Sequence, residues 1–223
     1  MPGLGGDPVH FHWLAKSLSQ NGWETVLINH PGSNTNAMNS LVEGKNPFPN
    51  GIELFPYRLA DLRTVLQEKD RGKLNINADN VVLIGHSLGA LNAFLASGAT
   101  VQKGLIDRCN DALNDFSITN ISSLIQCQLI DVPLTQEYKI NELSAIIGIN
   151  SFGKLLWPKS IGEKIKIPIL LTGGTFDLIT PAISEQLGLL LSTNQNIFSR
   201  ALIIEGASHF SPINIEVKEG QIT

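Results

Sequence analysis

Blocks of apolar and polar positions follow one another along this 223-residue chain and predict strands and helices in turn. Short runs rich in Val, Ile and Leu, bounded by Gly, Pro or Asn, indicate buried strands. They occupy residues 24–29, 80–84, 144–150, 168–172 and 201–205. The segments between them carry apolar residues at helical spacing. This succession predicts an α/β fold with helices on both faces of a parallel sheet.

Several helices can be placed from the same pattern. The first carries Phe11, Leu14 and Leu18 on one face. Others cover residues 53–69, 88–98 and 101–113, and two more begin after Asn120 and at Pro181. Residues 30–52 are predicted to be a long polar loop. We expect one domain over residues 1–223, with residues 100–142 as a helical insertion. This insertion is explained either by ordinary packing or as a cap over a substrate pocket.

The sequence Gly-His-Ser-Leu-Gly at residues 85–89 lies between a predicted strand and a predicted helix. A G-x-S-x-G motif in that context is typical of a nucleophile elbow, a sharp turn that exposes the serine hydroxyl above the sheet. Ser87 is therefore the candidate nucleophile. The alternative is that Ser87 is only a small residue in a tight turn.

A serine nucleophile needs a histidine base and an acid that orients it, and in this layout they follow in the order serine, acid, histidine. Asp177 follows the strand at 168–172, and His209 follows the strand at 201–205. Each candidate thus lies beyond the carboxyl end of a different strand, where open parallel sheets place their sites. The alternatives are a helix cap for Asp177 and a loop histidine bonded to backbone for His209. His30 precedes the elbow and is interpreted as a turn-supporting residue.

Charge that develops on an ester carbonyl oxygen also needs N–H donors. The N–H of Leu88, at the start of the helix after the elbow, is one candidate. The glycine-rich residues 3–6 offer the N–H of Leu4 as the other, unless they are simply a flexible N-terminus.

The motifs together resemble the α/β-hydrolase superfamily, and most closely the bacterial predicted dienelactone hydrolases related to platelet-activating-factor acetylhydrolase. The matching stretches are residues 2–6, 30–34, 58–61, 85–89, 168–181 and 206–210. The resemblance implies a serine esterase that needs no cofactor or metal. Pro2 stands where the group usually has histidine, and Ser87 stands where dienelactone hydrolases have cysteine, so lactone cleavage has little support. The alternatives are an acyltransferase or thioesterase on the same triad, or an inactive fragment acting as a binding module.

Composition narrows the expected partners. A net charge of −4 argues against nucleic acid, and no apolar run is long enough to span a bilayer. A small-molecule ester is the expected partner, and the oligomeric state stays open. No signal peptide is evident, but the N-terminus looks incomplete, so this absence says little about location and the cytoplasm is only the default. Cys109 and Cys127 fit no zinc spacing; reduced, buried thiols are preferred over a disulfide.

The hydrolase sheet usually has a strand that leads into the oxyanion loop, between the strand at 24–29 and the elbow strand. Here that strand would precede Pro2. The sequence therefore predicts a sheet without its N-terminal strands, and a chain less stable than one extended upstream. Pairing of residues 24–29 with the elbow strand, or another segment that fills the space between them, would contradict this expectation.

Overall fold

The computed structural model describes residues 1–47, 51–76, 80–114, 121–132, 139–158, 165–192 and 196–214. Its centre is a four-stranded sheet in which each strand is parallel to its neighbour. The strands are β1 (Val81–His86), β2 (Leu143–Ile149), β3 (Ile169–Gly174) and β4 (Arg200–Ile204), side by side in chain order. The predicted α/β class with a parallel sheet is confirmed.

Helical segments precede β1, connect β1 to β2 and connect β3 to β4, as parallel strands cannot be joined by tight hairpins; between β2 and β3 the described residues contain no helix. They are a 3₁₀ turn (Pro8–Phe11), α1 (His12–Gln20), α2 (Thr35–Val42), α3 (Gly51–Asp70), α4 (Leu88–Ala96), α5 (Leu105–Asn114), α6 (Ile121–Cys127), a π-helical segment (Ala182–Leu187) and α7 (Gly188–Ser192). Asn120, the expected cap of α6, lies outside the described residues.

Helix α4 lies at the centre of the core. Every one of its residues is buried, because it packs against β1 and β2 on one side and against α3 on the other. Strand side chains on the face toward α4, such as Leu83, Ile146 and Leu171, are buried with it. Because α4 starts at residue 88, the packing of this helix also fixes the position of the turn at Ser87.

Residues 24–29 do not form the strand that the sequence predicts. A strand is held by the backbone of a neighbour, and in the described ranges no strand flanks the outer edge of β1. The backbone of Met1 bonds there instead. Its nitrogen donates to Ile84 O (2.7 Å), and its carbonyl accepts from His86 N (3.0 Å).

The predicted polar loop at residues 30–52 contains a helix that its composition did not reveal. Helix α2 begins after Asn34, whose side chain accepts a hydrogen bond from the Ala37 N–H (3.1 Å). An asparagine at this position satisfies one of the unpaired N–H groups of the first turn.

The insertion at residues 100–142 contains α5 and α6. Cys109 and Cys127 join the two helices through a disulfide, with their Cα atoms 5.6 Å apart, so the expectation of reduced thiols is wrong. Leu105 and Leu129 of the insertion belong to the same apolar core as Ile146. The insertion therefore packs onto the body that contains the sheet.

Buried polar contacts attach α6 to the rest of the molecule. Gln126 donates to Glu185 (3.0 Å) in the π-helical segment and accepts from the Leu155 N–H (2.8 Å) after β2. Ser122 also bonds to Glu185. The carboxylate of Glu185 accepts further hydrogen bonds from the N–H groups of Gly153 and Lys154. These bonds link α6, the loop after β2 and the π-helical segment.

Candidate active site

Ser87 occupies a sharp turn between β1 and α4. Its φ angle is 51°, a left-handed conformation that costs energy for a residue with a side chain. A Cβ on Gly85 would overlap the backbone of Gly89, and a Cβ on Gly89 would overlap that of Met1. Both glycines are therefore required by close backbone approach, and the geometry is that of a nucleophile elbow.

The first turn of α4 places the backbone N–H of Leu88 next to Ser87. The N–H groups of Ala90 and Leu91 donate to Ser87 O (2.9 and 3.2 Å). Within the described ranges the Leu88 N–H has no acceptor, as expected for the first residue of a helix. It remains available to a ligand.

Asp177 and His209 come together at the carboxyl ends of β3 and β4. His209 Nδ1 lies 2.9 Å from Asp177 Oδ2, and both side chains are buried. Two backbone bonds align their loops: Thr175 N–H to Ile204 O (3.0 Å) and Phe176 N–H to Ala207 O (2.9 Å). The sequence-predicted acid and base are thus placed in contact by the ends of neighbouring strands.

Hydrogen bonds converge on the carboxylate of Asp177. Oδ1 accepts from the N–H groups of Ile179 (2.9 Å) and Thr180 (2.7 Å), and Oδ2 accepts from the Thr180 hydroxyl (2.7 Å) as well as facing His209. Burial by itself raises the pKa of Asp177, but the bonds from His209 and Thr180 outweigh it and lower this pKa to about 2. The carboxylate is therefore ionised at neutral pH.

Asn150 is a further partner of Asp177 that the sequence analysis did not predict. It is the first residue after β2, and its φ angle of 49° is one that asparagine tolerates better than most residues. Its Nδ2 donates to Asp177 Oδ2 (2.5 Å) and to Ser208 O (3.3 Å). Asn150 thus bonds to the acid and to the residue before the base. The sequence analysis placed residue 150 inside the predicted strand at 144–150, whereas β2 ends at Ile149 and Asn150 lies just beyond it.

His86 lies beneath the His209 loop, with its ring centroid 4.9 Å from that of His209. His86 Nε2 donates to His209 O (2.9 Å), which requires the proton on Nε2. Burial, followed by the proximity of His209, lowers the pKa of His86 to about 4. His86 is therefore neutral at pH 7 and supports the backbone of the candidate base.

The glycine-rich N-terminal residues contact the elbow. A Cβ on Gly3 would lie 3.0 Å from the Ser87 Cβ, so the two backbones are closely packed. Leu4 follows with an exposed side chain, and its N–H is donated to no other described residue. Leu4 and Leu88, the two predicted oxyanion donors, thus lie on the two segments that meet at Ser87.

The described residues include no hydrogen bond between the Ser87 hydroxyl and the His209 ring. His209 bonds through Nδ1 to Asp177 and to the Thr180 hydroxyl (3.2 Å). His209 Nε2 is therefore the ring nitrogen that bonds to none of the described residues.

Large apolar side chains flank the acid and base on the outside. Phe176 and Leu178, on either side of Asp177, are 68% and 78% exposed, and Phe210, next to His209, is 60% exposed. The Phe210 ring lies edge-on to the His209 ring, with the centroids 5.5 Å apart. A ligand that approached His209 would therefore meet an apolar surface.

In the described ranges, no group of three or more His, Cys, Asp or Glu side chains is arranged to hold a metal ion. No helix in the same ranges is both long enough and apolar enough to cross a bilayer.

Comparisons with known proteins add little to this geometry. No protein-family model matches the chain, and no curated protein is significantly similar to it. Among solved structures, the chain is similar to the crystal structure of esterase PE8, with a TM-score of 0.46 and 21% sequence identity. The similarity covers 93% of this chain and 81% of that one. A likeness at this level carries no argument about activity or about the narrower dienelactone hydrolase resemblance.

Proposed function

We propose that this protein hydrolyses carboxylic esters through a covalent acyl-enzyme formed on Ser87. The observation that carries the proposal is the buried hydrogen bond between Asp177 and His209, at the sheet edge that also holds the strained turn at Ser87. A strained serine after one strand and a carboxylate–imidazole pair after two others form the set of groups that nucleophilic acyl transfer requires.

In the proposed acylation step, His209 Nε2 takes the proton of the Ser87 hydroxyl while Oγ attacks the ester carbonyl carbon. Asp177 holds the proton on His209 Nδ1 and stabilises the imidazolium that forms. Contacts between a catalytic serine and its base commonly tighten only when substrate binds. The absence of a Ser87–His209 hydrogen bond is therefore compatible with this role.

The electron pair of the attacked carbonyl moves onto its oxygen, where the free N–H groups of Leu88 and Leu4 would bind it. When the tetrahedral intermediate collapses, the bond to the alcohol oxygen breaks, and His209 gives its proton to the leaving alkoxide. Water then attacks the acyl carbon and loses a proton to His209. Collapse of the second intermediate returns that proton to Ser87 and releases the carboxylic acid.

Reaction with a fluorophosphonate probe tests the proposal directly, because such probes phosphonylate an activated serine much faster than an ordinary one. We expect stoichiometric labelling on the peptide that contains Ser87, together with hydrolysis of p-nitrophenyl acetate or butyrate. Ser87→Ala should lose both. Ser97→Ala is the matched control, because Ser97 is a buried serine directly after the last residue of α4 and its hydroxyl donates to Phe94 O (2.7 Å), within its own helix.

Labelling of another residue, or undiminished hydrolysis by Ser87→Ala, would overturn the proposed mechanism. A folded wild-type protein that neither labels nor turns over esters would favour the binding-module alternative instead.

A further inference from the structure

Arg58, in α3, is a buried cation that the proposed chemistry leaves unexplained. Its side chain is only 1% exposed. Burying a guanidinium is costly unless hydrogen bonds replace those to water, so a buried arginine is expected to hold specific acceptors. Two of its donors meet oxygen atoms: Nη1 bonds to Ser33 Oγ (2.8 Å) and Nη2 bonds to Pro2 O (2.5 Å).

These acceptors lie on both sides of the Gly3–Leu4 dipeptide. The Pro2 carbonyl belongs to the peptide that leads into Gly3. On the other side, Gly5 N–H donates to Ser33 O (2.8 Å), so the residue whose hydroxyl accepts from Arg58 also holds the peptide after Leu4. Arg58 therefore holds the peptide before Gly3 directly, through the Pro2 carbonyl. It holds the peptide after Leu4 indirectly, through Ser33.

The turn that carries Ser33 is itself held in place. Ser33 N–H donates to His30 O (3.1 Å), and His30 Nδ1 lies 2.9 Å from Asp61 Oδ2, one turn beyond Arg58 in α3. Because one face of α3 holds both the turn and the Pro2 carbonyl, the N-terminal loop has little freedom relative to Ser87.

We propose that Arg58 is a positioning residue that holds the Leu4 N–H at the place where it binds the oxyanion. The inference rests on the ester-hydrolase function proposed above. Arg58 contacts neither substrate nor reacting atoms. It acts through the backbone of Pro2 and through Ser33, and it therefore affects the transition state more than the bound ester, since an oxyanion forms only during reaction.

The test compares kcat, KM and the melting temperature of wild type, Arg58→Met and Arg58→Lys, with kcat expressed per fluorophosphonate-labelled site. Loss of one oxyanion donor costs roughly 10²–10³ in kcat. A donor that is displaced rather than deleted should cost about 10–100-fold, with KM within about twofold of wild type. Lysine restores the charge but lacks the planar fork that presents two separate nitrogens to Ser33 and Pro2, so Arg58→Lys should recover only part of kcat.

Arg108→Met is the matched control. Arg108 also uses its side chain to bond backbone carbonyls, those of Leu155 (2.6 Å), Lys103 (2.6 Å) and Gln102 (2.9 Å), all away from the N-terminal loop. Its loss should lower the melting temperature and leave kcat per labelled site unchanged. A purely structural role for Arg58 would give this same result, and that outcome would overturn the inference.

Ser33→Ala provides a second variant if Arg58→Met does not fold. It removes one acceptor of Arg58 and keeps the carbonyl that binds Gly5. We expect a smaller fall in kcat at constant KM, and wild-type kinetics would contradict the inference. If wild type is labelled at Ser87 and the variants have normal kinetics, only the role proposed for Arg58 is overturned. Failure of wild type to label defeats the proposed function and this inference together.

Discussion

Asn150 and His209 bind the same carboxylate oxygen of Asp177. Asn150 Nδ2 lies 2.5 Å from Oδ2, and His209 Nδ1 lies 2.9 Å from it. Asn150 also bonds the carbonyl of Ser208, the residue before the base. One amide group therefore sets the position of the acid relative to the loop that carries the base.

Replacing Asn150 with glycine should lower kcat about tenfold. A hydrogen bond to a charged group contributes about 1.5–3 kcal/mol, and part of that orients Asp177. Glycine accepts the φ angle of 49° without strain, so Asn150→Gly removes the amide and keeps the backbone. Steady-state kinetics with the melting temperature would check this. An unchanged kcat in a folded variant would show that the hydrogen bond from Asn150 is not needed to orient Asp177.

Replacing Asp177 with asparagine should be far more damaging, about 10³–10⁴-fold in kcat. The oxygen of the new amide is needed at Oδ1, which accepts two backbone N–H groups. The NH₂ group would then face both the Asn150 amide and His209 Nδ1, and it would stabilise the wrong tautomer of His209. Labelling rates with the fluorophosphonate probe should fall in parallel. Retention of more than a tenth of wild-type activity would exclude Asp177 as the orienting acid.

Stability should decrease as the pH falls below about 6.5, in part because of His86. Its pKa is about 4 in the folded protein and 6.5 when unperturbed, so between these values the unfolded chain binds more protons. The contribution of neutral His86 is complete above pH 6.5 and is lost as the pH falls toward 4, amounting to roughly 3 kcal/mol. Urea unfolding of wild type and His86→Gln from pH 7 to 4.5 would measure it. The variant should show the shallower dependence; parallel curves would rule out this role for His86.

Reduction of the Cys109–Cys127 disulfide should destabilise the protein. The bridge spans 18 residues of sequence, and a loop of that size corresponds to about 3 kcal/mol in the chain-entropy account. A reducing agent should lower the melting temperature of wild type but not that of the Cys109→Ala/Cys127→Ala variant. Thiol titration of the denatured, unreduced protein should find no free thiol, and two free thiols would contradict the bridge.

Four of the five predicted strands form. The apolar runs of β1, β2 and β3 contribute buried side chains, whereas β4 has no buried residue and exposes Leu202 and Ile204. The prediction from apolar runs therefore holds at these four strands. It failed at residues 24–29, where the apolar positions resemble a strand but no described strand pairs with them. Strand formation depends on a partner that local pattern does not specify. Helix α2 was not predicted, because it begins after Asn34 in a stretch of polar residues that was interpreted as a loop.

The candidate site was predictable where its residues follow strands directly. Ser87, Asp177 and His209 were found because each lies beyond the end of a predicted strand. Asn150 follows β2 in the structure but was placed inside the predicted strand at 144–150, so it was not found. Arg58 could not be found in this way, because its importance depends on contacts with Pro2 and Ser33, which are 56 and 25 residues away in sequence. Spacing along the chain contains no information about which carbonyl a buried guanidinium will meet.

The exposure of Phe176, Leu178 and Phe210 beside a rigid pair has a practical consequence for protein engineering. Apart from the ring contact of Phe210 with His209, these side chains extend outward from loops whose backbone bonds and carboxylate contacts hold the acid and base. A combinatorial library at these three positions would therefore vary the size and polarity of the entrance while leaving the Asp177–His209 geometry intact. Selection from such a library is a direct route to altered substrate range.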